Sequence, residues 1–171
     1  LQSLYRIPTA HVSATPAVAR WIAETVPDAV LIGPDSESGQ WVADIAARSG
    51  MPWQVLAKER RGDYDVRVSL PDPAAVSGRT PVLIDDIVSS GHTIQETLAH
   101  LRRLSLPPPL LVAIHPVFAG DAYARLLAAG LARIVSTDTI AHPSNAIALG
   151  ADLAAAASTL MAASTDSPED P

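Results

Sequence analysis

The chain contains no cysteine, which excludes a disulfide framework and any thiolate zinc centre. Its His residues do not form an HExxH or comparable pair. Positive charge is scarce: 12 Lys and Arg stand against 18 Asp and Glu, giving a net charge of -6, the wrong sign for a protein that draws its affinity from a phosphate backbone. Nucleic acid is therefore not expected as a partner. No apolar run approaches the ~18 residues of a membrane span, and the opening Leu1-Gln2-Ser3-Leu4-Tyr5-Arg6 lacks the apolar stretch of a signal peptide. A soluble protein in a reducing, cytoplasmic setting is expected, with no membrane partner. The nucleotide P-loop, GxxxxGK followed by Ser or Thr, is missing too.

What is present is a chain of 171 residues, 48% hydrophobic, enough for one substantial core and one domain. Five short apolar runs recur at roughly the ~30-residue spacing of strand-helix units: AVLIG at 29–33, WQVLA at 53–57, PVLID at 81–85, LLVAIH at 110–115 and RIVST at 133–137. They are apolar throughout, without alternation, as strands covered on both faces are. Helical patterns lie between them at 16–26, with Thr15 as candidate N-cap, and at 38–48, 93–104 and 121–129; Gly50 and Gly130 sit where helices should stop. An Ala-rich stretch at 151–163 reads as a final helix. The fold class is therefore α/β, an open, mainly parallel sheet flanked by helices, with ligands expected beyond the carboxyl ends of the strands. One domain spans 1–163, and the polar, acidic, Pro-bearing 164–171 (STDSPEDP) is expected to be a disordered tail. Leu1 is not an initiator Met and the opening residues read like the middle of a fold, so a fragment is expected.

One segment breaks the rhythm. Residues 58–71 (KERRGDYDVRVSLP) form a long polar excursion between the second and third runs, and long loops of this kind are often functional. A short exposed hairpin through 65–70 is the plainer reading.

After the third run comes Asp85-Asp86-Ile87-Val88-Ser89-Ser90-Gly91-His92-Thr93, two acids followed by a small, hydroxyl-rich turn that opens a helix. Such a turn suits a phosphate: N–H groups of the first helical turn, the positive end of the helix dipole and the hydroxyls of Ser89, Ser90 and Thr93 converge there, and Gly91 permits close backbone approach. Asp85 and Asp86 are placed to accept hydrogen bonds from sugar hydroxyls or to hold Mg²⁺ through oxygen. The plain alternative is a capped helix with two solvated acids, which leaves unexplained why two acids end a buried strand.

VLIDDIVSSGHT resembles the phosphate- and ribose-binding motif shared by type I phosphoribosyltransferases and ribose-phosphate pyrophosphokinases. Three further segments resemble the latter family. Lys58-Glu59-Arg60-Arg61-Gly62-Asp63-Tyr64-Asp65-Val66 looks like its catalytic flexible loop, and Lys58 is the chain's one lysine. Gly33-Pro34-Asp35-Ser36-Glu37-Ser38-Gly39 is similar to its pyrophosphate loop, with Glu37 and Ser38 standing where many members carry small residues. Residues 136–145 are similar to its closing Thr-Asn-Thr-Ile stretch; no single residue there is given a role.

The resemblance implies a type I phosphoribosyltransferase-like fold and a diphosphokinase that uses ATP and ribose 5-phosphate with Mg²⁺, acting as a homo-oligomer. It implies that Ser89, Ser90, Gly91, His92 and Thr93 anchor the 5-phosphate, that Asp85 and Asp86 hold the ribose hydroxyls, that Asp35 is a metal ligand, and that Lys58 and Arg60 are catalytic. It also implies a preceding ATP-binding domain that this chain lacks, so the isolated chain is expected to be inactive. The rivals are a phosphoribosyltransferase and a non-catalytic regulatory subunit of the same fold. The Lys58 segment and the acid pair speak against them.

Overall fold

The computed structural model describes residues 7–56, 58–61, 65–68, 76–104 and 106–165. In chain order the elements are α1 (Thr15–Thr25), β1 (Ala29–Gly33), a 3-10 turn (Ser36–Ser38), α2 (Gly39–Ser49), β2 (Trp53–Val55), β3 (Lys58–Arg61), β4 (Asp65–Val68) and β5 (Thr80–Ile87). They continue with α3 (His92–Leu101), a second 3-10 turn (Arg102–Leu104), β6 (Leu110–His115), α4 (Ala122–Ala128), β7 (Arg133–Thr137), β8 (Asn145–Ile147) and α5 (Gly150–Thr165). Six strands form a parallel sheet in the order β2-β1-β5-β6-β7-β8, and β3 and β4 pair antiparallel as a separate ribbon.

The unbroken apolar runs of the central strands have the cause expected of them, whereas β2, at the sheet edge, is not covered on both faces and leaves Trp53 exposed. Alternate residues of each central strand enter two different cores. Leu31, Val82, Ile84, Val112 and Val135 pack with Val18, Ile22, Val42 and Ile45 of α1 and α2. Ile32, Leu83, Leu111 and Ile134 pack on the other side with Ile94, Leu98 and Leu126 of α3 and α4. Each fully buried Leu or Ile contributes roughly 1.5–3 kcal/mol relative to exposure, so the sheet is held from both faces.

This winding creates a switch point. From β1 the chain moves outward to β2, then returns to the opposite side of β1 as β5 and continues outward through β6 and β7. The crevice beyond the carboxyl ends of β1 and β5 is where ligands of such sheets bind.

Several local expectations are corrected. Thr15 is the first helical residue and Ala14 the N-cap, because the Thr15 hydroxyl is spent on Asp44 of α2; Ser13 Oγ instead accepts the Thr15 N–H at 3.3 Å. The second run is a strand only over Trp53–Val55, while Leu56 beyond it is buried and Ala57 lies outside the described residues. The third strand runs on to Ile87, since its ladder to β6 continues through the acids, Asp85 opposite Ala113 and Ile87 opposite His115. The three-residue β8 is an addition, tied in by Asn145, whose Nδ2 donates to the Thr137 carbonyl at 2.6 Å and to Ser136 Oγ at 2.9 Å. Ser164 and Thr165 belong to α5 rather than to a tail; residues 166–171 lie outside the described residues. Among the described residues no helix is long and apolar enough to cross a membrane.

Candidate functional site

Asp85 and Asp86 are the antepenultimate and penultimate residues of β5. Successive strand residues face opposite sides, and the two acids divide accordingly. Asp86 joins a cleft of about 220 Å³ lined by His11, Ser13, Trp41, His115 and Thr139 among others, and its Oδ1 accepts the Ile87 N–H at 2.8 Å. Asp85 is half-buried and carries a pKa pushed up to about 7, first by burial, then by the negative charge of Asp86 and then by that of Asp35. Three carboxylates thus meet across the switch point.

Asp35 is set there by the loop after β1. Its Oδ1 accepts the N–H groups of Glu37 and Ser38, each at 3.1 Å, and Ser38 Oγ donates back to the Asp35 carbonyl at 2.5 Å. This reciprocal cap orients the carboxylate at the start of the 3-10 turn. Gly33 makes the loop possible, because a Cβ there would collide with Ser38 Oγ and come 3.2 Å from Val55. Glu37, one of the two departures from the family pattern, is exposed, whereas Ser38 is buried and builds the loop.

The turn after β5 has exposed Ser89 and Ser90, then Gly91 with φ +71 as N-cap of α3. The helix therefore starts at His92, one residue before Thr93. Gly91 is required by its own surroundings: besides the left-handed backbone, an added Cβ would lie 2.8 Å from Leu126 Cδ1. Ser90 Oγ accepts the His92 N–H at 3.4 Å, Thr93 is half-buried, and the His92 ring turns to Glu96 at 3.3 Å.

Lys58 and Arg60 are in strand β3, paired with Val68 and Val66 of β4; the segment forms an antiparallel ribbon, closer to the plainer hairpin reading than to a loop, but with strands at 58–61 and 65–68 rather than within 65–70. Positions 58 and 60 share one face of that strand and 59 and 61 the other. Their side chains, and residues 62–64 and 69–75, lie outside the described residues.

The 136–145 segment is mostly self-satisfied. Thr137 Oγ1 and Thr139 Oγ1 both donate to the Ile114 carbonyl, at 2.6 and 2.9 Å, and Ser136 and Ser144 hydroxyls bond at 2.7 Å. Thr139 Oγ1 also lies 3.0 Å from His115 Nδ1, which fixes that imidazole at the cleft. His11, Trp41 and His115 were not singled out by the sequence, since the cleft draws on segments scattered from 11 to 153.

Neighbouring carboxylate oxygens suit a divalent cation. Among the described residues, however, no group of three or more His, Cys, Asp or Glu could hold a metal ion. Mg²⁺ typically takes one or two protein carboxylates and completes its shell with water and substrate phosphates, and Asp35 fits that partial role.

Asp85 makes a testable contribution to stability. Its folded pKa is raised above the ordinary carboxylate value of 3.8, so between about pH 4 and 7 the folded state keeps a proton that the unfolded state releases. Stability then falls as pH rises through that window and levels off above it. Allowing for its partial exposure, the effect is about 1–2 kcal/mol. Asp85→Asn should raise the melting temperature of the ligand-free chain at pH 8 by roughly 3–6 °C, on the order of that energy in a chain of this size, and leave it nearly unchanged at pH 4. Equal shifts at both pH values would contradict the assignment.

A family model for the phosphoribosyl transferase domain matches residues 10–125. The chain is 30% identical over 158 residues to a ribose-phosphate pyrophosphokinase of Methanopyrus kandleri, covering 91% of this chain and 54% of that protein. It is 32% identical over 130 residues to ribose-phosphate pyrophosphokinase 2 of Archaeoglobus fulgidus, covering 76% and 47%. The chain thus spans about half the length of these curated relatives. Its fold matches the crystal structure of phosphoribosylpyrophosphate synthetase from Mycobacterium smegmatis with a TM-score of 0.75 at 24% identity, over 97% of this chain and 55% of that one.

Proposed function

From the premise that the chain belongs to the phosphoribosyl transferase domain family, we propose that it is the ribose-phosphate-binding part of a ribose-phosphate diphosphokinase. In that reaction the C1 hydroxyl oxygen of ribose 5-phosphate bonds to the β-phosphorus of ATP. The bond from that phosphorus to the α–β bridging oxygen breaks, AMP departs, and the hydroxyl loses its proton. The observation that carries the reading is the convergence of Asp85, Asp86 and Asp35, whose negative charges act on one another at the end of the strand that leads into the Ser89–Gly91 turn.

The roles follow from the chemistry of each group. The turn amides and the hydroxyls of Ser89, Ser90 and Thr93 bind the 5-phosphate. Asp85 and Asp86 accept hydrogen bonds from ribose hydroxyls and fix the sugar relative to the turn. Mg²⁺, when bound by Asp35 together with substrate oxygens, would neutralise charge on the diphosphate. Lys58 and Arg60 supply positive charge to the transferring group, in a reaction where the protein contributes mainly positioning and charge stabilisation.

A phosphoribosyltransferase would use the same crevice but break the bond between C1 and the diphosphate. The two reactions separate cleanly in a chimera that joins this chain to the remainder of the Methanopyrus kandleri relative. Given ATP, ribose 5-phosphate and Mg²⁺, it should release AMP and phosphoribosyl pyrophosphate in equal amounts by phosphorus NMR, whereas the isolated chain should make neither. Formation of a nucleoside monophosphate from a nucleobase and phosphoribosyl pyrophosphate, without diphosphate transfer, would establish the rival.

A further inference from the structure

The turn that opens α3 is held from behind by one neighbouring unit, the β6–α4 connection. Three consecutive carbonyls of the turn point at it. The Phe118 N–H donates to the Val88 carbonyl at 2.9 Å and the Ala119 N–H to the Ser89 carbonyl at 3.1 Å. Arg125 Nη2, on α4, donates to the Ser90 carbonyl at 3.4 Å, the longest of the three. The same helix supplies Leu126, whose side chain closes the space where Gly91 has no Cβ.

A planar trans peptide points its carbonyl and the following N–H in opposite directions. Fixing the carbonyls of Val88, Ser89 and Ser90 onto the connection therefore turns the N–H groups of Ser89, Ser90 and Gly91 away from it, to the open side of the turn. None of these three N–H groups has an acceptor among the described residues.

The connection is itself built under constraint. Phe118 has φ 26, the one positive φ outside glycine among the described residues, a conformation that costs on the order of 1–3 kcal/mol and lasts only where surrounding structure imposes it. Its ring is clamped edge-on by Tyr123 at 5.4 Å and lies 4.7 Å from His142, which meets Tyr123 at 4.8 Å. Arg125 is held by an ion pair to Asp121 one turn earlier.

We propose that Phe118 and Arg125 are positioning residues for the anion-binding turn: they set the direction of the Ser89, Ser90 and Gly91 amides without touching the ligand. The consequence for ribose 5-phosphate rests on the function proposed above; the claim about the turn does not.

Two measurements on the chain keep those apart. In the ligand-free protein, amide nitrogen relaxation should give Ser89, Ser90 and Gly91 order parameters near the rigid value of about 0.85, falling toward about 0.6 in Arg125→Ala and in Phe118→Ala. Arg125→Lys, which keeps a donor and the charge, should recover part of the loss at Gly91. Calorimetry should show ribose 5-phosphate and inorganic phosphate both binding about tenfold more weakly to Arg125→Ala and Phe118→Ala, with the folded fraction unchanged by circular dichroism. If the three amides stay as ordered in both variants as in the parent, the positioning role is wrong. Ordered amides that loosen in the variants, in a parent that binds neither ligand, would uphold the positioning role and remove the proposed function instead.

Discussion

Replacing Lys58 or Arg60 by Ala in the chimeric enzyme is expected to lower kcat for diphosphate transfer by about 10²-fold, with little change in KM. A group that meets charge developing only as the β-phosphoryl moves is felt in the transition state and so appears in the rate. A loss of ~10²-fold, on the order of 3 kcal/mol, is typical of removing one charge-stabilising group from a water-excluded site. The β3–β4 register sharpens the test, because Lys58 and Arg60 share a strand face while Glu59 and Arg61 occupy the other. Arg61→Ala therefore removes the same charge from the adjacent residue and should leave kcat within about threefold, well below the typical catalytic cost. If Arg60→Ala and Arg61→Ala behave alike, position on the ribbon is irrelevant and the segment is only a charged surface.

The second large effect belongs to Gly91. Gly91→Val forces a β-branched residue into φ +71 and drives its Cβ against Leu126. The backbone penalty alone is about 1–3 kcal/mol, and overpacking adds roughly 1–3 kcal/mol more. Relieving this shifts the turn amides proposed to meet the phosphate, so affinity for ribose 5-phosphate should fall about 10²-fold, on the order of two lost hydrogen bonds to a charged group. Gly50 provides the control. It has nearly the same φ, +72, with nothing within 4 Å of its missing Cβ, so Gly50→Val should cost stability and leave affinity intact. Calorimetry on both variants checks the contrast, and a comparable loss of affinity in Gly50→Val would contradict it.

What could be read from the sequence is what the chain keeps together. The acid pair and the turn occupy nine consecutive residues, 85–93, and the strand runs are apolar because both faces of the sheet are covered. Those features need no knowledge of distant contacts. The features that escaped are made by distance along the chain. Asp85 owes part of its raised pKa to Asp35, fifty positions earlier. The Thr15 hydroxyl leaves its expected cap for Asp44. The three carbonyls of the turn are held by residues 118–125, and no local pattern couples the two segments. The extent of the ribbon, whose first strand begins at Lys58 rather than within 65–70, escaped for a different reason. Strands are recognised by a buried face, and KERR and its partner strand DVRV pair only with each other, outside the main sheet; KERR carries no apolar residue at all, so the alternation is visible in one strand alone.

The function proposed above requires the Ser89–Thr93 turn and the acids beside it to bind ribose 5-phosphate within this chain. Titration calorimetry of the chain with ribose 5-phosphate and with ribose tests it directly. Ribose 5-phosphate should bind one-to-one, ribose should give no detectable heat, and affinity should fall at least tenfold when Ser90→Ala and Thr93→Ala are combined, on the order of two lost hydrogen bonds to a charged group. Absence of ribose 5-phosphate binding, or binding that the double substitution leaves unchanged, would contradict it.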